Sequence, residues 1–315
     1  MYNFNNHWVV VVVCDSIGVH SSCCHLQASA GITLKMKQTS STKIAGVVLC
    51  LNEAGNLPRA LGSLAWCDEV LVLDSGSTDG SQEIAMRCGA RVIEHRQQGR
   101  FLITEQRNWA LNQGQLKSEW VLFLDADEEI SSVCRQAIQH AIQHPAAADG
   151  YELTPRYWFL GRWLKFTQGY PNWHPRLLKP SVLHFEGGVW ESFAGSSQIG
   201  KINEPYEHYA FSKGIDDWVE KHLRYAKWEA DAMYNYKASK DSSGLTTSRS
   251  FRKRALMSRL WPIRPLLRFA EKYFLNGGWL EGYQGLVFSA LMGFYELLIV
   301  IKFIEARNAK RGESL

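Results

Sequence analysis

Three things are scarce in this chain: surplus charge, cysteines placed to pair, and unbroken apolar runs. Across 315 residues the formal net charge is only +4, so the charge total gives no case for a nucleic-acid partner. The seven cysteines, Cys14, Cys23, Cys24, Cys50, Cys67, Cys88 and Cys134, include no C-x-x-C and are odd in number. Reduced thiols are expected, not a disulfide framework or a zinc site. The apolar run at residues 9–13 has no basic residues before it and no small-residue cleavage site at a sensible distance after it, which argues against a signal peptide. Residues 282–301 are strongly apolar, yet only 14 uncharged residues separate Glu281 from Glu296, short of the roughly 20 that cross a bilayer. A Gly-rich, Lys-bearing phosphate loop is also missing near the first strand, where L-N-E-A-G-N-L stands instead. That counts against a nucleotidyltransferase.

What is present is globular: 46% hydrophobic and 21% charged residues, enough for a full core. Residues 1–42 differ from the rest and read as a poorly structured, possibly non-native leader, with Met36 just before the first credible strand. Short apolar runs then alternate with helical patterns. The run I-A-G-V-V-L-C-L ends in Asn52-Glu53, with Asn56 and Pro58 opening a helix; V-L-V-L leads into D-S-G-S-T-D-G; and E-W-V-L-F-L-D-A-D-E-E-I closes the series at residues 119–130. Strand, helix, strand at this spacing predicts a doubly wound, mostly parallel sheet. Glu53, Asp74, Asp125 and Asp127 then fall at the carboxyl ends of buried strands, where open α/β sheets bind ligands. Asp125 and Asp127, two apart in extended chain, share a side on which a divalent cation or its phosphates can sit.

The ordered set L-N-E-A-x-N-L, V-L-D-S-G-S-T-D-G-S, E-Q-R-N-W-A-L and W-V-L-F-L-D-A-D-E-E resembles the family 2 glycosyltransferases of the GT-A fold, and among them the lipopolysaccharide inner-core β-1,4-glucosyltransferase group. The resemblance implies a UDP-sugar donor and a Mg²⁺ or Mn²⁺ ion. It puts Asp74 on the uracil, Asn52 and Glu53 on the nucleoside, Arg107 on base or phosphate, Asp125 on ribose or sugar and at the metal, and Asp127 as the principal metal ligand. His208 stands where several such enzymes place a third ligand, and Arg176 resembles an Arg near donor phosphates or acceptor. Plainer readings stay open: a helix cap for Asp74, a surface charge for Arg107 or Arg176, a packed residue for His208.

From Tyr151 the composition shifts to aromatics interleaved with Arg, Lys and His, suited to sugar stacking and phosphate pairing. Inverting transfer needs a base for the acceptor hydroxyl, and the expected one is Glu191, with Glu186 as competitor. Relatives usually read V-H-E here, whereas this chain reads Val189-Trp190-Glu191. Between Arg249 and Lys272 lie eight basic residues and one acid, Glu271, interleaved with Leu, Ile, Phe and Trp, the pattern of a segment at an anionic membrane surface. The expected layout is a GT-A domain at 43–240, with a nucleotide half at 43–130 and an acceptor half at 151–210, followed by a helical, membrane-associating appendage at 241–315. The expected function is transfer of a sugar, glucose first, from a UDP-sugar to a saccharide or lipid-linked envelope glycan on the cytoplasmic face of the membrane, with no nucleic acid involved. The alternatives are a nucleotidyltransferase acting on a sugar phosphate and a membrane-docked sugar-binding protein without catalysis.

Overall fold

A computed structural model describes residues 42–99, 101–144, 146–187, 191–195, 198–239 and 263–309. The leader and the basic residues Arg249, Arg252, Lys253, Arg254 and Arg259 lie outside them. The chain runs β1 (Ile44–Cys50), α1 (Leu57–Ser63), β2 (Glu69–Asp74), α2 (Ser81–Arg87), β3 (Arg91–Glu94), α3 (Ile103–Gln113) and β4 (Trp120–Asp125). These strands are parallel in the order β3-β2-β1-β4.

The central strands are apolar on both faces because both are covered. In β4, Trp120, Leu122 and Leu124 pack with Leu57, Leu61 and Leu64 of the α1 side and with Ile138, while Val121 and Phe123 pack on the opposite face with Ala110 of α3 and with Phe185. Alternate residues of one strand thus feed two cores. Each fully buried Leu or Val contributes about 1.5–3 kcal/mol of transfer free energy.

Beyond β4 the parallel expectation gives way to a mixed sheet. The segments are β5 (Glu128–Glu129), α4 (Ser132–Gln143), β6 (Gly150–Phe159), β7 (Arg162–Trp163), β8 (His174–Leu178), β9 (His184–Gly187), β10 (Glu191–Ala194) and β11 (Ile199–His208). β8 pairs antiparallel to both β4 and β6, β6 pairs parallel to β11, and β5 closes antiparallel on the end of β11. β9 and β10 form a separate antiparallel ribbon. Asn108 of α3 anchors it: its Nδ2 donates to the Phe185 carbonyl at 2.8 Å and its Oδ1 accepts from the Phe185 amide at 2.8 Å.

The C-terminal part is helical: α5 (Gly214–Ser239), α6 (Arg264–Ala270), a π-helical turn (Glu271–Leu275), a 3₁₀ turn (Gly278–Glu281) and α7 (Gly282–Ala309). α7 packs on α5 and α6 through Tyr295, Ile299 and their neighbours, facing Trp218 and Ala226 of α5. Two sequence readings change here. Asn56, read as opening α1, makes no side-chain cap and instead donates to Glu53 and Ser212. Glu296, read as a charge that cuts short the apolar run, is buried against Arg264 at 2.6 Å. That pair, with Gly282–Ala309 continuous as one helix, changes the length argument: residues 278–309 are long and apolar enough to cross a membrane by length and composition, with 39% of the apolar window buried within the protein.

Candidate active site

The loops after β1 and β2 are tied to each other. The Asn52 amide donates to Ser77 Oγ at 2.8 Å and its Oδ1 accepts from the Thr78 amide at 2.8 Å; Asn52 sits at φ 55°, a left-handed conformation that Asn tolerates. The Glu53 carboxylate receives Asn56 Nδ2 and Lys213 Nζ, each at 2.7 Å. Asp74 is fully buried and accepts from the Gly76 amide, the Ser77 amide and hydroxyl, and Gln82 Nε2. Burial alone would raise its pKa, but these donors outweigh burial and hold it below the usual carboxylate range. Gly76 turns this loop at φ 99°, where a Cβ would run into the Arg96 guanidinium.

At the end of β4 four carboxylates and three basic groups alternate. Arg107, buried on α3, reaches Asp125 Oδ1 at 3.2 Å and also binds Glu191 Oε2. Arg176, buried on β8, reaches Asp125 Oδ2 at 3.1 Å, Glu128 Oε1 at 2.7 Å and the Tyr206 hydroxyl at 3.3 Å. His208, at the end of β11, lies 3.6 Å from Glu128 through Nδ1 and 3.4 Å from Asp127 through Nε2. The result is one connected line, Glu191, Arg107, Asp125, Arg176, Glu128, His208, Asp127. In a dry site each of these ions needs its neighbours, since several kcal/mol of lost hydration per ion must be offset.

The line titrates unevenly. Burial pushes Asp125 up, but Arg176 and Arg107 hold it well below the usual range. Glu128, fully buried and next to Asp125, is pushed up to about 7 mainly by burial, against the pull of Arg176. Burial also raises Glu191 despite Arg107, the direction that suits a proton acceptor working near neutral pH. For His208, burial disfavours the charge, but Asp127 and Glu128 outweigh it and raise the pKa. Lys221 of α5 adds positive potential at both Asp125 and Asp127.

The expected cation site divides. Asp127 and His208 Nε2 are adjacent at 3.4 Å, a carboxylate and an imidazole nitrogen of the kind that bind Mn²⁺, while His208 Nδ1, on the Glu128 side, is buried without a hydrogen-bond partner. Asp125, expected to share the ion, has both oxygens turned to guanidiniums. Among the described residues no group of three or more His, Cys, Asp or Glu side chains is gathered as a metal cage; further ligands would come from the substrate.

The structure thus brings Arg107, Asp125, Asp127, Arg176, Glu191 and His208 together, while Asn52, Glu53 and Asp74 line the neighbouring loop pair. Glu186 is exposed and bonds Ser192 Oγ at 3.3 Å. Sequence reasoning passed over Glu128, although D-A-D-E-E held it in view: a second buried acid three residues after Asp125 is what makes Arg176 bridge two carboxylates. Lys213 was missed because no local pattern ties it to Glu53, 160 residues away.

A parallel β3-β2-β1-β4 half with acid-tipped strand ends, continued by a mixed sheet, is the architecture of a GT-A glycosyltransferase. Residues 47–194, a little under half of the 315, match the family described as Glycosyl transferase family 2. A lipopolysaccharide core biosynthesis glycosyltransferase, LpsC, of Rhizobium meliloti is 23% identical over 278 residues, 85% of this chain and 94% of that one. A Rickettsia bellii glycosyltransferase without assigned function is 34% identical over 106 residues, 33% of this chain and 34% of its own. Among solved structures, S. aureus TarS 1–349 is 15% identical, covers 85% of this chain and 92% of its own, and has a TM-score of 0.39.

Proposed function

We propose that this protein is a metal-dependent, inverting glycosyltransferase that moves a sugar, glucose first, from a UDP-sugar to a saccharide acceptor of a lipopolysaccharide or other envelope glycan. Its place would be the inner membrane face, peripherally bound. The observation that carries the reading is the ion line: it ends at one side in a buried carboxylate with a raised pKa, Glu191, and at the other in the Asp127–His208 pair. The name and 85% coverage of the Rhizobium relative support the acceptor class.

In this reading the Asn52, Glu53 and Asp74 loops receive the nucleoside, with Asp74 shaping the loop that meets the base. Asp127 and His208 would hold the divalent cation, which would supply Lewis-acid stabilisation of the leaving diphosphate. Asp125 faces the donor ribose or sugar, fixed by Arg107 and Arg176. Glu191 takes the proton of the acceptor hydroxyl as that oxygen attacks the anomeric carbon, and Arg107 keeps Glu191 aimed. Arg176 offsets the charge of Asp125 and Glu128 so that an anionic donor can enter a cleft rich in carboxylates.

The test is UDP release from UDP-glucose, with and without Mn²⁺, in the presence of a deacylated core oligosaccharide. Cation-dependent release with a product one hexose heavier is expected. Consumption of UDP-glucose only when pyrophosphate is added, giving UTP and glucose 1-phosphate, would indicate a nucleotidyltransferase, and tight UDP-sugar binding with no release a sugar-binding protein.

A further inference from the structure

The C-terminal helices expose what a water-soluble bundle hides. On α7 the residues Tyr283, Leu286, Val287, Phe294, Leu297 and Ile301 are all exposed, and their spacing, close to multiples of 3.6, puts them on one face. The stripe runs about 27 Å at 1.5 Å per residue and contains no charge. At its N-terminal end the turns before α7 add Phe274, Leu275 and Trp279, exposed by 61%, 82% and 57%. The opposite face is buried, with Tyr295, Glu296 and Ile299 against α5 and α6 and Phe288 against Phe159 and Phe211. A helix apolar all round needs two apolar surroundings, and the protein supplies one.

The second is not a bilayer crossed by α7. α5 lies alongside and turns Glu220, Arg224, Lys227 and Asp231 to solvent, and threading α7 through hydrocarbon would drag these charges with it. Charge complementarity selects the remaining occupant. Eight basic residues and one acid lie between Arg249 and Lys272, directly before the stripe, and an anionic headgroup layer above an acyl layer matches both. Trp279 and Tyr283 at the edge suit the boundary between the two.

We infer that the exposed stripe of α7, with the turn at Phe274 to Trp279, is the surface that seats in the anionic leaflet, with α7 lying in the membrane plane. This rests on the peripheral placement proposed above and names its surface. The insertion is apolar, and the basic residues only steer it. Of the eight, Arg264 and Lys272 are turned inward, on Glu296 and on the Thr167 carbonyl. The seat also lies beside the chemistry. Phe288 of α7 packs on Phe211 and Phe159 with ring centres 6.3 and 6.0 Å apart, and Phe211 follows His208 by three residues. A lipid-borne acceptor would therefore present its sugars to the ion line from the leaflet that holds α7.

The test floats the full chain with phosphatidylglycerol–phosphatidylethanolamine vesicles. Binding that persists in part at about 1 M NaCl is expected, since screening removes the steering and leaves the apolar contact. Val287→Glu with Phe294→Glu, both on the exposed face, should cut the bound fraction roughly tenfold or more, with unchanged thermal melting and unchanged UDP release to a soluble acceptor. Wild-type flotation of this variant would overturn the surface. So would a dimer in sedimentation that the variant dissolves, which would put a second copy on the stripe, or a buried stripe by hydroxyl-radical footprinting without lipid, which would put the chain's own remaining segments there. Absence of flotation with UDP release intact would sink the seat and leave the transfer reading standing.

Discussion

The nucleotide half and the C-terminal helices are built inside out relative to each other. In the first, Val47, Leu71, Leu122 and Phe123 fill the interior and the acids gather at strand ends. In the second, Arg264, Glu296 and Glu281 are buried while Leu, Phe and Trp face outward. The difference lies in what each charge is for. At the strand ends the ions stand where open α/β sheets bind ligands. In the helices they are sealed: Arg264 with Glu296 at 2.6 Å holds α6 to α7, and Glu281, accepting from the Phe166 amide at 2.7 Å, ties the appendage to the acceptor half.

Four measurements break or sharpen this contrast. The largest effect is expected at Asp127: Asp127→Ala should lower turnover at least ~10³-fold, about 4 kcal/mol, at every Mn²⁺ concentration. Appreciable UDP release would move the working acids elsewhere. Close behind is Arg264→Met, which leaves Glu296 buried without its counter-charge and should cost about 3–5 kcal/mol in urea unfolding, whereas Arg264→Met with Glu296→Leu should be near neutral. A harmless single change would mean that the helices do not rely on sealed charge. Next comes Glu191→Gln, for which a loss of about 10²-fold in kcat is expected with UDP-sugar affinity kept within a few-fold; equal turnover would transfer the base role to Glu186.

The smallest effect concerns Lys272, whose pKa burial, helped by Arg268, pushes down to about 8 from an ordinary 10.5. A depressed lysine adds stability above its unfolded pKa and loses it as pH falls through the folded one. Wild type should therefore gain on Lys272→Met steadily between roughly pH 8 and 10.5, with no trend below pH 8. A flat difference across that window would show a lysine that is solvated in the fold.

Much of the first half was legible because its signals are local. The runs at Ile44, Glu69 and Trp120 became strands within a residue or two of the expected bounds, and each carried its acid at the expected end. The insertion of β8 between β4 and β6 was not legible, since antiparallel pairing of Leu177 with Leu122 depends on partners 55 residues apart with no turn signal between them. Arg107 and Arg176 were legible as residues but not as partners of the same aspartate. The basic run was overread as surface: Arg264 sits in its pattern but packs inward, because an acid 32 residues on, Glu296, competes with solvent for it.

One amide has a consequence for engineering. Asn108 bonds both backbone groups of Phe185, as a neighbouring strand would, and the adjacent Arg107 holds Glu191 on the next strand of the same ribbon. Two consecutive side chains of α3 therefore clasp the ribbon at two points. A chimera that imports a relative's ribbon should import α3 with it, since a transplanted ribbon set against a foreign helix would arrive with Glu191 unaimed and one strand edge unpaired.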